Sequence, residues 1–417
     1  MTFDTWLRDR LLRALGALPS GSLTIVDGGQ VWTVGPPAAS PRATIAVTSP
    51  ALYRRVATGG ALGAAESYLR GEWMADDLVS ALRVFAANLD TADAIEGWTA
   101  TVGRWRARLA HALRVNTRAG SRRNIRQHYD LGNDLFALFL DDTLTYSCGI
   151  FARPESTLEE ASVEKIDRAC RKLDLRPGDR LLEIGTGWGA LALHAARHYG
   201  CHVTTTTISR AQHDEAARRI AASGLAHRIA LLQQDYRDLT GTYDKLVSIE
   251  MIEAVGVGHL DRFFRVCAER LAPHGQMLIQ AIVMPEHRFA AYQRSADFIQ
   301  TYVFPGNALA SVGAMAGAIG RGTDFRIAHL EDLSPHYART LRAWRERFMA
   351  RTAEVRRLGY DDRFIRLWEY YLAYCEAAFL ERCTGVVQML ATRPGCRIDA
   401  VGAGARTRAT EIGVRAS

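Results

Sequence analysis

The feature that most constrains the fold is residues 181–189, Leu-Leu-Glu-Ile-Gly-Thr-Gly-Trp-Gly, where an apolar run leads directly into a glycine-rich turn. The pattern predicts a buried parallel strand over Arg180 to Ile184 and a helix over Ala190 to His198. Glycines at 185, 187 and 189 would let the turn pass close beneath a ligand, because a Cβ there would hold a cofactor away from the backbone. The segment therefore predicts a nucleotide-cofactor site, and a dinucleotide would also fit it.

The second predicted strand argues against a dinucleotide. Such sites place an Asp or Glu about 20 residues after the first glycine, where it binds the ribose hydroxyls. Here the strand over residues 201–207 ends in threonines, and no acid precedes Asp214. Further strands are predicted before Gln234, at 245–250 and at 276–283. Strands that alternate with helices in this way favour a doubly wound α/β sheet.

Six ordered segments carry a family resemblance. They are residues 123–134 (RNIRQHYDLGND), 144–151 (LTYSCGIF), 182–189 (LEIGTGWG), 248–256 (SIEMIEAVG), 302–306 (YVFPG) and 336–344 (HYARTLRAW). Together they resemble the cyclopropane-fatty-acyl-phospholipid synthase family of S-adenosylmethionine-dependent methyltransferases. The resemblance implies a class I methyltransferase fold with a smaller N-terminal α+β accessory domain. It also implies methylene transfer from S-adenosylmethionine to the cis double bond of phospholipid acyl chains, forming a cyclopropane.

Three regions are predicted along the chain. Residues 1–120 form an accessory domain and basic linker, residues 121–396 the catalytic domain, and residues 397–417 a disordered tail. An apolar stripe from Phe3 to Leu18 predicts the first helix. Short strands at 23–26, 31–34 and 44–47 follow, and then helices near 61–69 and 78–87. The resemblance implies that this domain engages lipid and self-associates, which would give a homodimer.

The net charge of +7 calls for an acidic partner, and the positive charge is concentrated in one stretch. Residues 97–129 contain no Asp or Glu but hold Trp98, Trp105 and eight arginines: Arg104, Arg106, Arg108, Arg114, Arg118, Arg122, Arg123 and Arg126. Such a stretch fits nucleic acid, anionic lipid headgroups or a solvated linker helix. The resemblance favours the membrane, so we expect a peripheral membrane protein and no nucleic-acid partner.

Other sequence signals fit a cytoplasmic protein. No apolar run reaches the ~20 residues of a spanning helix, and the N-terminus does not resemble a signal peptide. The seven cysteines are odd in number and form no Cys-x-x-Cys pair, which favours reduced thiols over disulfides or a zinc site. We therefore expect no bound metal.

The chemistry implied by the resemblance is demanding. An isolated alkene is a poor nucleophile, so it needs an electrophilic sulfonium in a dry pocket, and the resulting carbocation must be stabilised and then deprotonated. The resemblance implies that the base is a bicarbonate held by a cysteine, a glutamate, a histidine and a tyrosine. These carry over to Cys148, Glu253 and Tyr337, whereas Gln280 stands where relatives have histidine, in Gln280-Ala281-Ile282. Because glutamine cannot titrate near neutral pH, the use of bicarbonate is left open.

The predicted cofactor residues cluster at the strand ends. Gly185, Gly187 and Trp188 are assigned to the methionine and ribose end, Thr207 and Gln212 to the ribose, and Asp235 and Tyr236 to the adenine. Tyr146 and Ser147 are expected to close the site, and Glu183, Gly189 and Ile249 complete it. His128 and Tyr129 are predicted to lie on a helix over the cofactor.

Three other functions stay open. The same methyl transfer could end in a methylene- or methyl-branched chain. A small-molecule N-methyltransferase shares the fold, and a non-catalytic lipid- or RNA-binding protein could retain it.

Overall fold

The computed structural model describes residues 2–89 and 132–397. The predicted basic stretch at 97–129, with His128 and Tyr129 within it, lies outside the described residues. So does the predicted tail at 397–417, apart from its first residue, Arg397. The proposed domain boundary near residue 120 lies there too, so it stays a prediction.

The N-terminal unit, residues 2–89, combines three helices with a four-stranded sheet. Its elements, in chain order, are α1 (Phe3–Leu15), β1 (Ser22–Asp27), β2 (Gln30–Val34), β3 (Arg42–Val47), α2 (Ala51–Leu69), β4 (Trp73–Ala75) and α3 (Leu78–Ala86). The strand order is β2-β1-β3-β4, with β1 parallel to β3 and antiparallel to β2.

Local sequence explains most of these bounds. Thr2 and Asp77 cap α1 and α3 by accepting hydrogen bonds from the backbone N–H groups of Thr5 and Ser80. The three predicted strands are confirmed to within two residues. The predicted helix at 61–69 is the second half of α2, which Gly60 kinks at φ 55°. Strand β4 was missed because three residues are too short to show alternation.

The C-terminal unit, residues 132–397, contains a seven-stranded sheet. Its strands are β5 (Arg180–Ile184), β6 (His202–Thr206), β7 (Ile229–Leu232), β8 (Tyr243–Ile249), β9 (Leu271–Val283), β10 (Arg326–Asp332) and β11 (Gly385–Thr392). Their order is β10-β11-β9-β8-β5-β6-β7, and all neighbours are parallel except β11, which is antiparallel to β9 and β10. This arrangement matches the predicted doubly wound sheet.

Ten α-helices of this unit lie within the described residues. They are α4 (Asn133–Phe139), α5 (Leu158–Lys172), α6 (Ala190–His198), α7 (Arg210–Ala222), α8 (Leu260–Arg270), α9 (Glu286–Tyr292), α10 (Val312–Gly322), α11 (Ser334–Ala350), α12 (Thr352–Arg357) and α13 (Asp362–Leu380). The strand order reverses at β5, whose neighbours β6 and β8 lead away in opposite directions. In open α/β sheets the ligand crevice lies at the carboxyl ends of strands at such a reversal, so the fold places the site after β5 and β8.

Helix α13 joins the two units. Tyr68 of α2 donates a hydrogen bond to Glu369 (2.8 Å), and its ring lies 5.3 Å from that of Tyr370. Arg83 of α3 pairs with Glu381 just after α13, at 2.6 Å. The apolar core is continuous across this junction. In the part of the chain that the structure describes, no helix is long and apolar enough to span a bilayer.

Candidate active site

The glycine turn after β5 has the backbone that the sequence predicts. Gly185, Gly187 and Gly189 adopt φ values of 105°, 52° and 89°, which side chains rarely tolerate. A Cβ added at Gly187 would meet no heavy atom within 4 Å, whereas one at Gly185 would lie 3.2 Å from Met251 Cβ. Gly185 and Gly187 line a cavity of about 1250 Å³, so the turn offers open space to a ligand.

The predicted ribose and adenine residues border the same cavity. Thr207 Oγ1 donates to Gln212 Oε1 (3.0 Å), which fixes the orientation of that amide. Asp235 binds Arg237 through two hydrogen bonds of 2.6 and 2.8 Å. Tyr236 packs edge-on against Phe263, with ring centroids 5.4 Å apart. All four predicted residues line the cavity, and Asp235 is already neutralised by its arginine.

Near the glycine turn, the cavity is also lined by a buried polar side chain. Glu183, the fourth of the five residues of β5, accepts a hydrogen bond from Thr205 Oγ1 (2.6 Å). Burial raises the pKa of this carboxyl to about 8. Ile249, the last residue of β8, also lines the cavity.

Aromatic side chains form the opposite wall. Tyr146 Oη lies 2.8 Å from Tyr371 Oη, and Trp188 Nε1 donates to Asn133 Oδ1 (2.8 Å). The Tyr146 and Trp188 rings both lie 5.1 Å from that of Phe136. Beside Tyr146, Ser147 Oγ accepts a hydrogen bond from the buried Lys165 Nζ at 2.9 Å. The predicted closing residues therefore lie at the cavity wall.

The centre of the catalytic region is Glu250, which the sequence analysis did not select. Its carboxylate accepts hydrogen bonds from Cys148 N (2.9 Å), Gln280 Nε2 (2.7 Å) and Tyr337 Oη (2.5 Å). Removal from bulk water raises the pKa of this carboxyl, and the three donors act against that increase. Three predicted catalytic residues are thus brought together around a fourth that was missed.

Cys148 contributes its backbone rather than its thiol. The thiol is fully buried, and Sγ lies 3.2 Å from the carbonyl oxygen of Gly149. Burial and the nearby charge of Glu250 raise its pKa well above the usual range. The side chain is therefore a neutral thiol, and the backbone N–H makes the contact with Glu250.

Glu253 occupies a separate position on the turn Ile252–Ala254. Its Oε1 accepts a hydrogen bond from the backbone N–H of Ile282 (2.6 Å), so Ile282 takes part through its amide. Its Oε2 is buried without a hydrogen-bond partner among the described residues. Burial and the charge of Glu250 raise the pKa of Glu253 to about 8. At neutral pH Glu253 is therefore mostly a neutral acid.

A buried chain of amides fixes the orientation of Gln280. Lys172 Nζ donates to Gln388 Oε1 (2.7 Å), Gln388 Nε2 donates to Gln280 Oε1 (3.0 Å), and Gln280 Nε2 then faces Glu250. A lysine ammonium can only donate, so it sets the direction of both amides. Gln280 and Gln388 are cross-strand neighbours on β9 and β11, and both are fully buried.

Comparison with known proteins places this site in a family. Residues 116–389 match the family model described as mycolic acid cyclopropane synthetase. The chain belongs to this family. The match covers all six sequence segments completely and spans the whole seven-stranded sheet except the last strand's final residues.

Individual relatives support the assignment. The chain is 42% identical over 374 residues to tuberculostearic acid methyltransferase UfaA1 of Mycobacterium tuberculosis, covering 86% of this chain and 85% of the relative. It is 35% identical over 354 residues to the cyclopropane-fatty-acyl-phospholipid synthase of Escherichia coli K12, covering 84% and 88%. The solved structure of mycolic acid cyclopropane synthase CmaA1, complexed with SAH and CTAB, matches with a TM-score of 0.61 at 31% identity, covering 65% of this chain and 98% of that one.

The bicarbonate implied by the resemblance does not fit this member of the cyclopropane synthetase family. The groups expected to hold the anion, at Cys148, Tyr337 and position 280, already donate to the carboxylate of Glu250. A bicarbonate bound to the same three donors would lie close to that carboxylate, and the two negative charges would repel each other. S-adenosylmethionine fits better, because the open space at Gly187 and the polar groups after β6 and β7 lie in one cavity. Within residues 2–89 and 132–397, no cluster of His, Cys, Asp and Glu could hold a metal ion.

Proposed function

We propose that this protein transfers a methylene group from S-adenosylmethionine to the cis double bond of unsaturated phospholipid acyl chains, forming cyclopropane chains. One observation carries the proposal: a single cavity joins the glycine turn to Glu250, Glu253 and an apolar region. Its volume of about 1250 Å³ exceeds the ~300–1000 Å³ of ordinary small-molecule sites, which suits a nucleoside cofactor together with a long chain.

The residues around the reacting centre suit a cationic intermediate. S-adenosylmethionine supplies the electrophilic methyl group, and the protein must stabilise the carbocation and exclude water. Aromatic faces stabilise cations, and charges interact strongly where water is excluded. Aromatic residues that line the cavity include Tyr146, Phe298, Phe304, Tyr337, Tyr370, Tyr371, Tyr374 and Phe379.

The N-terminal unit extends the apolar part of the cavity. Its contribution includes Leu7, Leu11 and Leu15 of α1, Ile25, Ile45, Val56, Leu82 and Phe85. We infer that this unit holds part of the acyl chain while the protein rests peripherally on the cytoplasmic face of a membrane. The arginines of residues 97–129 would bind anionic headgroups there. Self-association as a homodimer, also implied by the resemblance, stays a prediction.

A pair of variants tests the role of the N-terminal unit. Val56→Trp places a bulky ring in the cavity, so turnover on long acyl chains should fall while the affinity for S-adenosylmethionine is unchanged. Val26→Trp is the matched control, because Val26 follows Ile25 on β1, its side chain leaves the opposite face, and it does not line the cavity. Equal turnover of the two variants would contradict acyl binding in this unit.

The product decides between the cyclopropane and its nearest alternative. That alternative is a methylene- or methyl-branched chain, and the 42% identity to a tuberculostearic acid methyltransferase is compatible with it. Purified protein would be incubated with S-adenosylmethionine and vesicles of a monounsaturated phospholipid, and the released fatty acids analysed by mass spectrometry and proton NMR. Cyclopropane ring protons support the proposal, branch signals support the alternative, and unchanged fatty acids contradict both.

A further inference from the structure

We propose that the Glu250 carboxylate is the catalytic base of this enzyme, a built-in replacement for an exogenous bicarbonate. The inference rests on the proposed function, since it assigns the proton-transfer step of that reaction. Glu250 lines the cavity and is therefore within reach of a bound acyl chain.

The hydrogen bonds show how the side chain replaces a bound anion. Cys148 N and Gln280 Nε2 both donate to Oε1, and Tyr337 Oη donates to Oε2. A carboxylate has about four lone-pair positions, so one position on Oε2 is left to accept a proton. Three donors and no acceptor favour the ionised form that a base requires, and they act against the burial that raises the pKa of this carboxyl.

Further contacts fix both the charge and the position of Glu250. The amide chain from Lys172 through Gln388 keeps Gln280 Nε2 directed at the carboxylate. Lys165, on α5, adds a favourable Coulomb attraction. The backbone N–H of Glu250 donates to the carbonyl oxygen of Gln280 (2.8 Å), so Gln280 holds both the backbone and the side chain of Glu250.

The backbone of Glu250 is strained. Its φ of 49° lies in the left-handed region, which costs a non-glycine residue roughly 1–2 kcal/mol. Glycine would adopt this conformation without that penalty. Strain of this kind persists where surrounding contacts enforce it, and it is common at functional sites. The strained turn directs the carboxylate towards its three donors.

The proton-transfer step balances without a further reactant. After methyl transfer, the acyl chain carries a carbocation next to the carbon that bears the new methyl group. A C–H bond of that methyl breaks, its electron pair forms the C–C bond that closes the ring, and the proton goes to Glu250 Oε2. The neutral Glu250 then releases the proton to solvent after the product leaves.

The first test uses the unmodified protein. Turnover on vesicles is measured in carbon-dioxide-depleted buffer, with and without added bicarbonate. Equal rates support the inference. A rate that collapses on depletion and returns with bicarbonate overturns it, while the proposed function stands. Absence of alkylated product in every buffer contradicts the proposed function and, with it, this inference.

The second test removes the carboxylate. Glu250→Gly should lower turnover by at least ~100-fold, the low end for an acid–base group, while cofactor affinity is retained. Added bicarbonate or formate should restore part of that activity, because the variant leaves an empty site with three donors. Asp174→Gly is the matched control, since Asp174 also has a positive φ (47°) and does not line the cavity. Near-parent turnover of a folded Glu250→Gly protein would overturn the inference. If that variant does not fold, the first test, which compares turnover with and without bicarbonate, decides whether the inference holds.

Discussion

Replacing Gln388 by Glu tests whether the buried amide chain sets the charge of Glu250. The new carboxylate still accepts from Lys172, but it can no longer donate to Gln280 Oε1, 3.0 Å away in the parent. Rotation of the Gln280 side-chain amide by half a turn would relieve the repulsion between Gln280 Oε1 and the new carboxylate. Gln280 Oε1 would then face Glu250 Oε1, in place of the Nε2 that donates to it at 2.7 Å in the parent.

The expected loss follows from that one contact. A hydrogen bond to a charged group contributes about 1.5–3 kcal/mol. If all of this free energy stabilises the ionised Glu250 carboxylate that takes the proton, kcat falls about tenfold to a hundredfold at neutral pH, because a factor of ten corresponds to about 1.4 kcal/mol. Losing a donor raises the pKa of Glu250, so less of it is ionised at a given pH. The acid limb of the kcat profile should therefore move to higher pH.

The assay separates this effect from general damage. kcat is measured against pH on vesicles, cofactor affinity by calorimetry, and the free energy of unfolding in urea. Gln276→Glu is the matched control. Like Gln388, Gln276 is buried in a strand, here β9, and accepts a hydrogen bond from a lysine, Lys245 Nζ (2.8 Å), but it does not line the cavity. The other groups near Glu250, namely Lys165, Cys148, Tyr337 and Glu253, are unchanged in both variants. A Gln388→Glu protein with the parent's kcat and pH profile would refute the reasoning.

Three further predictions concern the cofactor, the pH dependence of stability and the membrane. Gly187→Val should abolish S-adenosylmethionine binding in calorimetry, whereas Gly178→Val, at an exposed turn with φ 89°, should not; binding by both would show that the space at Gly187 is not used. Glu253 has a folded-state pKa of about 8 against an ordinary 4.5, so only the folded state keeps its proton between these values. The unfolding free energy should therefore fall as pH rises from 5 to 8, by up to about 1.4 kcal/mol per pH unit, and Glu253→Gln should flatten this slope in urea titrations; an equal slope in both proteins would contradict the assignment. Replacing Arg104, Arg106, Arg108 and Arg114 by Gln should weaken co-sedimentation with anionic vesicles by up to about a thousandfold if ~1 kcal/mol per residue is additive, and less once salt screens the charges; binding unchanged by mutation and by salt would mean that these arginines do not bind lipid.

The elements around the cofactor turn are the part that the sequence predicts best. The predicted strand Arg180–Ile184 and helix Ala190–His198 are confirmed at their stated bounds. Strand β5 is buried except at its first residue, and the glycine turn marks where it ends. The apolar run and the glycine turn are both local in sequence, so neighbouring residues are sufficient to predict these two elements. The kink at Gly60 and strand β4, whose three residues are too few to show alternation, were not found.

Glu250 shows why the catalytic site was only partly predicted. Glu250 and Glu253 both follow β8 and lie three residues apart, so the sequence alone does not say which carboxylate meets Cys148 and Tyr337. The left-handed backbone at Glu250 decides it. The signal available in the sequence was a second glutamate in the segment SIEMIEAVG together with Gln280 in place of histidine. Gln388 lies 108 residues from Gln280, and only the pairing of β11 with β9 brings the two amides together.

The most direct test of the proposed function follows the transferred carbon itself. Purified protein would be incubated with S-adenosylmethionine carrying a fully deuterated methyl group and vesicles of a monounsaturated phospholipid, and the acyl chains analysed by mass spectrometry and NMR. The account predicts acyl chains with one additional carbon bearing two deuterium atoms in a cyclopropane ring, since one deuteron leaves to the base. Acyl chains without label would contradict the proposed function, and a product that retains three deuterium atoms would contradict ring closure by proton loss from the transferred methyl group.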